Sequence, residues 1–272
     1  MLNIKLMITK LNLYGGEFMS RLIKNSRDIT SDKYVMFCFP FAGGGAGAFN
    51  SYIHYFKSDI SVCPIQLPGR EEKIMDAPYT DMNDLVRDLL LEIREYKENK
   101  IILFGHSMGA KIAYEVAKEL ESEDCPVKLL IVSGNTVPHI PEPNPIHHLP
   151  DEEFERELGR FSGTPKEVLE NKELLKFFLP MLKADFTMIE RYCLEKVIPL
   201  QCPILGLGGT LDKEADKTSM DKWREYTKNS FNLFMFEGGH FFIKDKQKEV
   251  CNTILKAIID LQKEEKGEYL YF

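Results

Sequence analysis

Lys100-Ile101-Ile102-Leu103-Phe104-Gly105-His106-Ser107-Met108-Gly109 is the stretch on which the fold turns. Its first half is a short apolar run and reads as a buried strand. Its second half spells G-x-S-x-G. From Ala110 to Glu121, apolar residues recur at Ile112, Ala113, Val116, Ala117 and Leu120 with charges between them, the spacing of an amphipathic helix. A serine between two glycines on a strand-to-helix turn is a nucleophile elbow. The turn is so sharp that flanking side chains would clash, hence the glycines. The helix that starts just after the serine points its amides at an anion forming there. Three fixed positions in five are common by chance. The strand before and the helix after are the context the motif requires, and both are present.

Acyl transfer by a serine needs a base, and the base needs a group to orient it. The fold built around such an elbow supplies them in the chain order Ser, then Asp or Glu, then His. Pro203-Ile204-Leu205-Gly206-Leu207-Gly208-Gly209 is an apolar strand breaking into a glycine turn, followed by Thr210-Leu211-Asp212. Phe231-Asn232-Leu233-Phe234-Met235-Phe236 alternates as a strand and ends at Glu237-Gly238-Gly239-His240. Asp212 and His240 therefore both follow the C-terminal end of a predicted strand, on the edge where open α/β sheets place their sites. In this reading His240 takes the Ser107 proton and Asp212 holds the imidazole in the useful tautomer. Glu214, Asp216 and Asp221 are rival carboxylates deeper in a polar stretch; Asp212 is preferred. His106 is too close in sequence to Ser107 to act as its base, though it can line the pocket. His54 reads as an ordinary helix residue. His139, His147 and His148 fall among prolines and read as solvated loop residues, and no metal site is expected from them.

The anion formed on the substrate needs a second amide besides that of Met108, from the loop after an earlier strand. Tyr34-Val35-Met36-Phe37-Cys38-Phe39 is that strand, and Pro40-Phe41-Ala42-Gly43-Gly44-Gly45-Ala46-Gly47 is the loop. Glycines let backbone approach a ligand closely. A phosphate-binding reading of the same loop fails on two counts. It lacks the G-K-[ST] ending of a P-loop, and it lacks the spaced G-x-G-x-x-G with an acidic residue about twenty positions on.

Four blocks, taken together, resemble the signature of stand-alone type II thioesterases. These are Phe39-Pro40-Phe41-Ala42-Gly43-Gly44, Gln66-Leu67-Pro68-Gly69-Arg70-Glu71, Phe104-Gly105-His106-Ser107-Met108-Gly109-Ala110 and Gly238-Gly239-His240-Phe241-Phe242. His148-Leu149-Pro150-Asp151-Glu152-Glu153-Phe154, Gly163-Thr164-Pro165 and Leu179-Pro180-Met181-Leu182-Lys183-Ala184-Asp185 match as well. The likeness runs in unbroken order from about Tyr34 to Ile243. It departs at Tyr52, where the family often has tryptophan, and in the chain before Ser31. The resemblance implies hydrolysis of acyl thioesters on the phosphopantetheine arm of the acyl or peptidyl carrier proteins of nonribosomal peptide and polyketide synthetases. It also implies Ser107, Asp212 and His240 as the triad and the amides of Ala42 and Met108 as oxyanion donors; no cofactor or metal is expected.

Composition fits such an enzyme. The chain has 272 residues, 44% of them hydrophobic, enough for a large core. No apolar run is long enough to span a bilayer. Met1 to Phe18 mixes lysines with apolar residues without a continuous apolar region or cleavage site, so it is not read as a signal peptide. Met19 is an alternative start. The six cysteines show no close pairing and read as buried free thiols of a cytoplasmic protein. The net charge of −7 argues against a nucleic-acid partner. A monomer without membrane attachment is expected.

Strands are predicted near 34–39, 60–65, 101–104, 128–133, 203–207 and 231–236, and helices near 48–57, 81–97, 110–122, 219–228 and 246–263. That alternation predicts an α/β-hydrolase fold, a mostly parallel sheet flanked by helices. The expected organisation is one domain over 1–272, with an N-terminal extension at 1–30 and a helical lid insertion at 138–199. In the lid, helical patterns run over Asp151–Phe161, Pro165–Asn171 and Glu173–Tyr192, and such a lid would shape an acyl pocket and exclude water. Phe177, Phe178, Met181, Phe186, Met188 and Ile189 are core or substrate contacts equally well. Two other function classes stand beside the carrier thioesterase. One is a general acyl-CoA hydrolase or esterase with the same triad, and the other a non-catalytic scaffold, against which the intact Ser107, Asp212 and His240 set argues.

Overall fold

The computed structural model describes residues 22–26, 29–31, 33–56, 60–159 and 170–266. Six strands form one sheet: β1 Tyr34–Phe39, β2 Ile60–Pro64, β3 Lys100–His106, β4 Val127–Ser133, β5 Ile204–Gly209 and β6 Phe231–Phe236. Their spatial order is β2-β1-β3-β4-β5-β6, and every neighbouring pair is parallel. Helices cover both faces, so strand residues on both faces are buried; this is why β1 and β3 are continuous apolar runs rather than alternating ones. Side chains of β1 still alternate between two cores. Val35, Phe37 and Phe39 pack with α2 (Met82–Ile93), α3 (Met108–Ser122) and α6 (Lys217–Asp221). Tyr34, Met36 and Cys38 pack with α1 (Asn50–Tyr55) and α8 (Gln247–Lys266), while the single-turn α7 (Phe242–Asp245) joins the same side.

The chain runs outward from β1 to β2 and then restarts on the other side with β3. The loops leaving β1 and β3 therefore diverge at their C-terminal ends, and such a switch point opens a crevice in α/β sheets. The glycine loop and the elbow are those two loops.

Most elements fall within a few residues of their predicted positions. The predicted helix at 219–228 is instead the short α6 followed by a 3-10 turn at Lys222–Tyr226. The reason lies in Trp223 and Tyr226, which stand three residues apart and are both fully buried. A 3-10 turn eclipses i and i+3 and sends both into the core. α2 starts where Asp81 accepts hydrogen bonds from the amides of Asn83 (2.8 Å) and Asp84 (3.2 Å).

Between β4 and β5 lie α4 (Asp151–Leu158) and α5 (Lys172–Arg191), with no strand between them among the described residues. They pack on each other through Phe154, Leu158, Leu175, Leu179, Leu182 and Phe186, a small core separate from the two that flank the sheet. The first helix of the expected lid stops at Leu158 rather than Phe161; the Gly163-Thr164-Pro165 block and most of the Pro165–Asn171 helical pattern lie outside the described residues. So do Met1–Arg21, with the Met19 start, and the last residues of the tail. Part of the N-terminal extension is nevertheless built into the fold. Ile23 bridges Ile65 in antiparallel sense, and the amides of Leu22 and Ile23 donate to the buried Glu92 carboxylate on α2. The fold thus reaches into the N-terminal extension expected at 1–30. No helix among the described residues is long and apolar enough to cross a membrane.

Candidate active site

Ser107 stands between β3 and α3 at φ 53 and ψ −123, a strained backbone for a non-glycine residue. Sterics explain its neighbours. A Cβ on Gly105 would lie 2.0 Å from the Gly109 carbonyl oxygen, and one on Gly109 would lie 2.1 Å from the Phe39 carbonyl oxygen. The elbow closes only because both positions lack a side chain. It is buttressed by groups the sequence reading missed. The Ser107 amide donates to the Ser133 carbonyl (2.8 Å), and the Asn135 side chain donates to the Ser107 carbonyl (2.7 Å). Trp223 in turn donates its indole N–H to the Asn135 carbonyl (2.8 Å). The signal for these residues was the Ser133-Gly134-Asn135 turn at the end of β4, on the same sheet edge as Ser107. Ser107 is the N-cap of α3, yet its side chain makes no capping bond.

Asp212, just after β5, and His240, beyond β6, meet as expected. His240 Nδ1 lies 2.8 Å from Asp212 Oδ2, and both residues are buried. The second Asp212 oxygen accepts from the amides of Glu214 (2.9 Å) and Ala215 (3.3 Å), so the carboxylate is held on both sides. The rivals are placed otherwise. Asp216 caps α6 through the Ser219 amide, and Asp221 pairs with Arg224 at the surface. Glu214 reaches the opposite ring nitrogen, with Oε2 at 3.8 Å from His240 Nε2.

Burial alone would lower the pKa of His240, but the Asp212 hydrogen bond and the charges of Glu214 and Asp212 outweigh it and raise it above the ordinary imidazole value. Protonated His240 is therefore favoured by the fold. Its contribution to stability is present below the unfolded imidazole pKa and is lost as pH rises through the folded one. His106 behaves oppositely. It is fully buried behind His240, ring centroids 5.0 Å apart, with Nδ1 at 2.9 Å from Ser133 Oγ. Burial, reinforced by His240 and Lys244, holds its pKa well below the ordinary value, so it stays neutral. It is a support under the His240 ring and does not line the cavity.

Two loop histidines are not the solvated residues expected. His139 is half-buried and bonds to the Tyr226 hydroxyl (2.7 Å). His147 pairs with the buried Glu190 carboxylate (2.7 Å), which also accepts the amides of Ile146 and His147. Both loops fold back onto the body, which brings their rings to partners distant in sequence. Five of the six cysteines are buried as expected and Cys193 departs from that by being exposed, while burial pushes the Cys63 and Cys251 thiols up to about 12.

Ser107 and His240 line one cavity of about 510 Å³, together with Ala42, Met108, Phe41 and Phe241. Met108 opens α3, so no carbonyl within the helix reaches its amide. The loop that carries Ala42 is fixed from outside, by residues to which the sequence reading gave no role. Asp185 on α5 accepts the Gly43 amide (2.8 Å) and a two-point bond from Arg70 (2.7 Å each). Arg70 also donates to the Gly44 and Pro68 carbonyls (3.1 Å each). Both charged side chains are almost wholly buried. One ion pair thus clamps the glycine loop to α5. Removing one partner of such a pair leaves a buried charge and costs about 3–5 kcal/mol. Asp185→Asn is expected to lower the urea midpoint accordingly and to reduce kcat by loosening the loop. An Arg70→Met, Asp185→Leu double variant should recover most of the stability but not the kcat. Equal kcat in all three proteins would show that the clamp does not position the loop.

Comparison with known families places the molecule. The thioesterase domain family matches residues 35–258. The chain belongs to the thioesterase family. Among its relatives, the thioesterase is 38% identical over 237 residues to the gramicidin S biosynthesis protein GrsT of Aneurinibacillus migulanus, covering 86% of this chain and 92% of GrsT. It is 36% identical over 240 residues to LgrE of Brevibacillus parabrevis, covering 86% of this chain and 91% of that one. LgrE is named a linear gramicidin dehydrogenase; the present chain carries the elbow and lacks a spaced dinucleotide fingerprint. The structure of the type II thioesterase BorB from the borrelidin biosynthetic cluster superposes with a TM-score of 0.79 at 29% identity, over 89% of this thioesterase and 99% of BorB. The fold is that of α/β-hydrolases, and the protein is a hydrolase of thioesters.

Proposed function

We propose that this thioesterase removes acyl groups from the phosphopantetheine arm of carrier proteins, acting in trans on a nonribosomal peptide or polyketide synthetase as a cytoplasmic monomer. Ser107 Oγ attacks the thioester carbonyl while His240 Nε2 takes its proton, and the amides of Ala42 and Met108 receive the oxyanion. The C–S bond breaks, His240 protonates the departing sulfur, and the acyl group rests on Ser107. Water then attacks the ester, giving its proton to His240, and Ser107 leaves with that proton restored. Asp212 stays ionised throughout and stabilises the imidazolium.

The observation that carries this reading is the buried Asp212–His240 pair at 2.8 Å, with His240 and Ser107 lining the same cavity. The biosynthetic roles in the names of GrsT and BorB support the choice of carrier-bound substrates. The helices between 138 and 199 serve as the lid: Phe186 and Ile189 of α5 line the cavity. A thioesterase that clears misloaded arms must accept varied short acyl groups. Each methylene in an apolar slot contributes only about 1 kcal/mol, so recognition has to come from the carrier. Acetyl and butyryl groups on a carrier are expected to be hydrolysed with kcat/KM clearly above that of the corresponding CoA thioesters. Equal efficiency on both would favour a general acyl-CoA hydrolase.

A further inference from the structure

One cation inside the cavity has no role in the mechanism above. Lys111 lies on α3 one helical turn beyond Ser107, is 5% exposed, and lines the same cavity as Ser107. Side chains on a helix slant toward its N-terminus, so the lysine stem runs back toward the elbow. Among the described residues Lys111 forms no hydrogen bond and no ion pair. The same cavity is also lined by the apolar Ile140, Phe186 and Ile189. Glu142, on the loop after β4, also lines the cavity; its charge acts on Lys111, but the two form no ion pair. Burial lowers the lysine pKa, with Glu142 and Cys193 offsetting only part of that effect.

An unpaired ammonium in such a wall is a burden to the fold; an apolar residue of similar length would be at least as stable. Lysine fits there if a negative group arrives with the substrate. The acyl chain is that substrate's part nearest Ser107, and one helical turn is only about 5.4 Å. The phosphate of the phosphopantetheine arm sits at the far end of the arm and does not reach this point.

We infer that the acyl slot accepts acyl groups ending in a carboxylate, half-thioesters of short dicarboxylic acids, with Lys111 as the residue that binds that carboxylate. The inference rests on the proposed function, since it takes Ser107 as nucleophile and the cavity as the acyl site. With the thioester carbonyl at Ser107, the chain extends along α3 and its carboxylate meets the ammonium in a charge-assisted hydrogen bond.

The test uses one carrier loaded with malonyl, succinyl or glutaryl groups and, in parallel, with the chain-matched propionyl, butyryl or valeryl groups. The readout is the ratio of kcat/KM within each matched pair, so that any loss common to both substrates cancels. In Lys111→Met the carboxyacyl-to-acyl ratio should fall by about tenfold or more at the best-fitting length. Lys111→Gln should fall in the same direction, which keeps the test open should the methionine variant fold poorly. The melting temperature of Lys111→Met should equal or exceed that of the wild type. Glu142→Gln should raise the ratio. A ratio identical in wild type and both Lys111 variants overturns the inference and leaves the carrier thioesterase reading standing. A uniform loss on both members of each pair assigns Lys111 to the arm or to packing, and overturns it too. Failure of the wild type to deacylate any loaded carrier removes the proposed function itself.

Discussion

Ser107→Ala is expected to lower kcat for thioester hydrolysis by about five to six orders of magnitude, leaving only the residual rate that oxyanion donors and binding supply. The expected loss is this large because every covalent step of the proposed mechanism passes through one oxygen. Alanine keeps the strained φ of 53 that the turn imposes. It also keeps the backbone bonds that hold the elbow, from the Ser107 amide to Ser133 and from Asn135 to the Ser107 carbonyl. Folding stability should therefore change by no more than about 0.5 kcal/mol. Steady-state hydrolysis of acyl-carrier, with thermal unfolding in parallel, reads both numbers. Turnover retained in a well-folded Ser107→Ala protein would remove the serine mechanism.

Asp212→Asn is the second large effect. An amide in place of the carboxylate presents a donor to His240 Nδ1, the ring takes the wrong tautomer, and kcat falls by about 10⁴. The pH profile carries an independent signature. With neutral His240 as the proposed base, kcat/KM should drop as pH falls through its pKa, which the Asp212 bond and the Glu214 charge hold above the ordinary imidazole value. The acid limb of the wild type should lie above that value, and Glu214→Gln should move it down while leaving the triad in place. Asp216→Asn, which touches only the α6 cap, should leave both rate and profile near the wild type. If Asp216→Asn proved the damaging change, the orienting carboxylate would have been wrongly assigned.

The elbow, the strand order of events and the pair Asp212–His240 were legible because each rests on local grammar. Gly105 and Gly109 announce a turn too tight for a Cβ, and the apolar runs before Ser107, Asp212 and His240 place all three on one sheet edge. What the sequence withheld depends on partners far apart in the chain. Arg70 and Asp185 are 115 residues apart, and nothing local to either says that one clamps the glycine loop through the other. His147 reads as a loop residue until Glu190, 43 residues on, is seen beside it. The short α6 and its 3-10 continuation follow from burying Trp223 and Tyr226 together, a demand of packing that overrides helical periodicity. Lys111 sits within the predicted helix after the elbow, but only α5 and the loop after β4 turn its position into the wall of a cavity.

Stoichiometric labelling tests the central claim most directly. A fluorophosphonate, which reacts with an activated serine, is added to the wild-type enzyme, and peptide mapping by mass spectrometry locates the adduct. The account predicts one phosphonyl group per chain, on Ser107, protection by excess acyl-carrier, and loss of thioester hydrolysis in proportion to labelling. An adduct on another residue that tracks the loss of activity, or full labelling of Ser107 with hydrolysis of acyl-carrier intact, would contradict it.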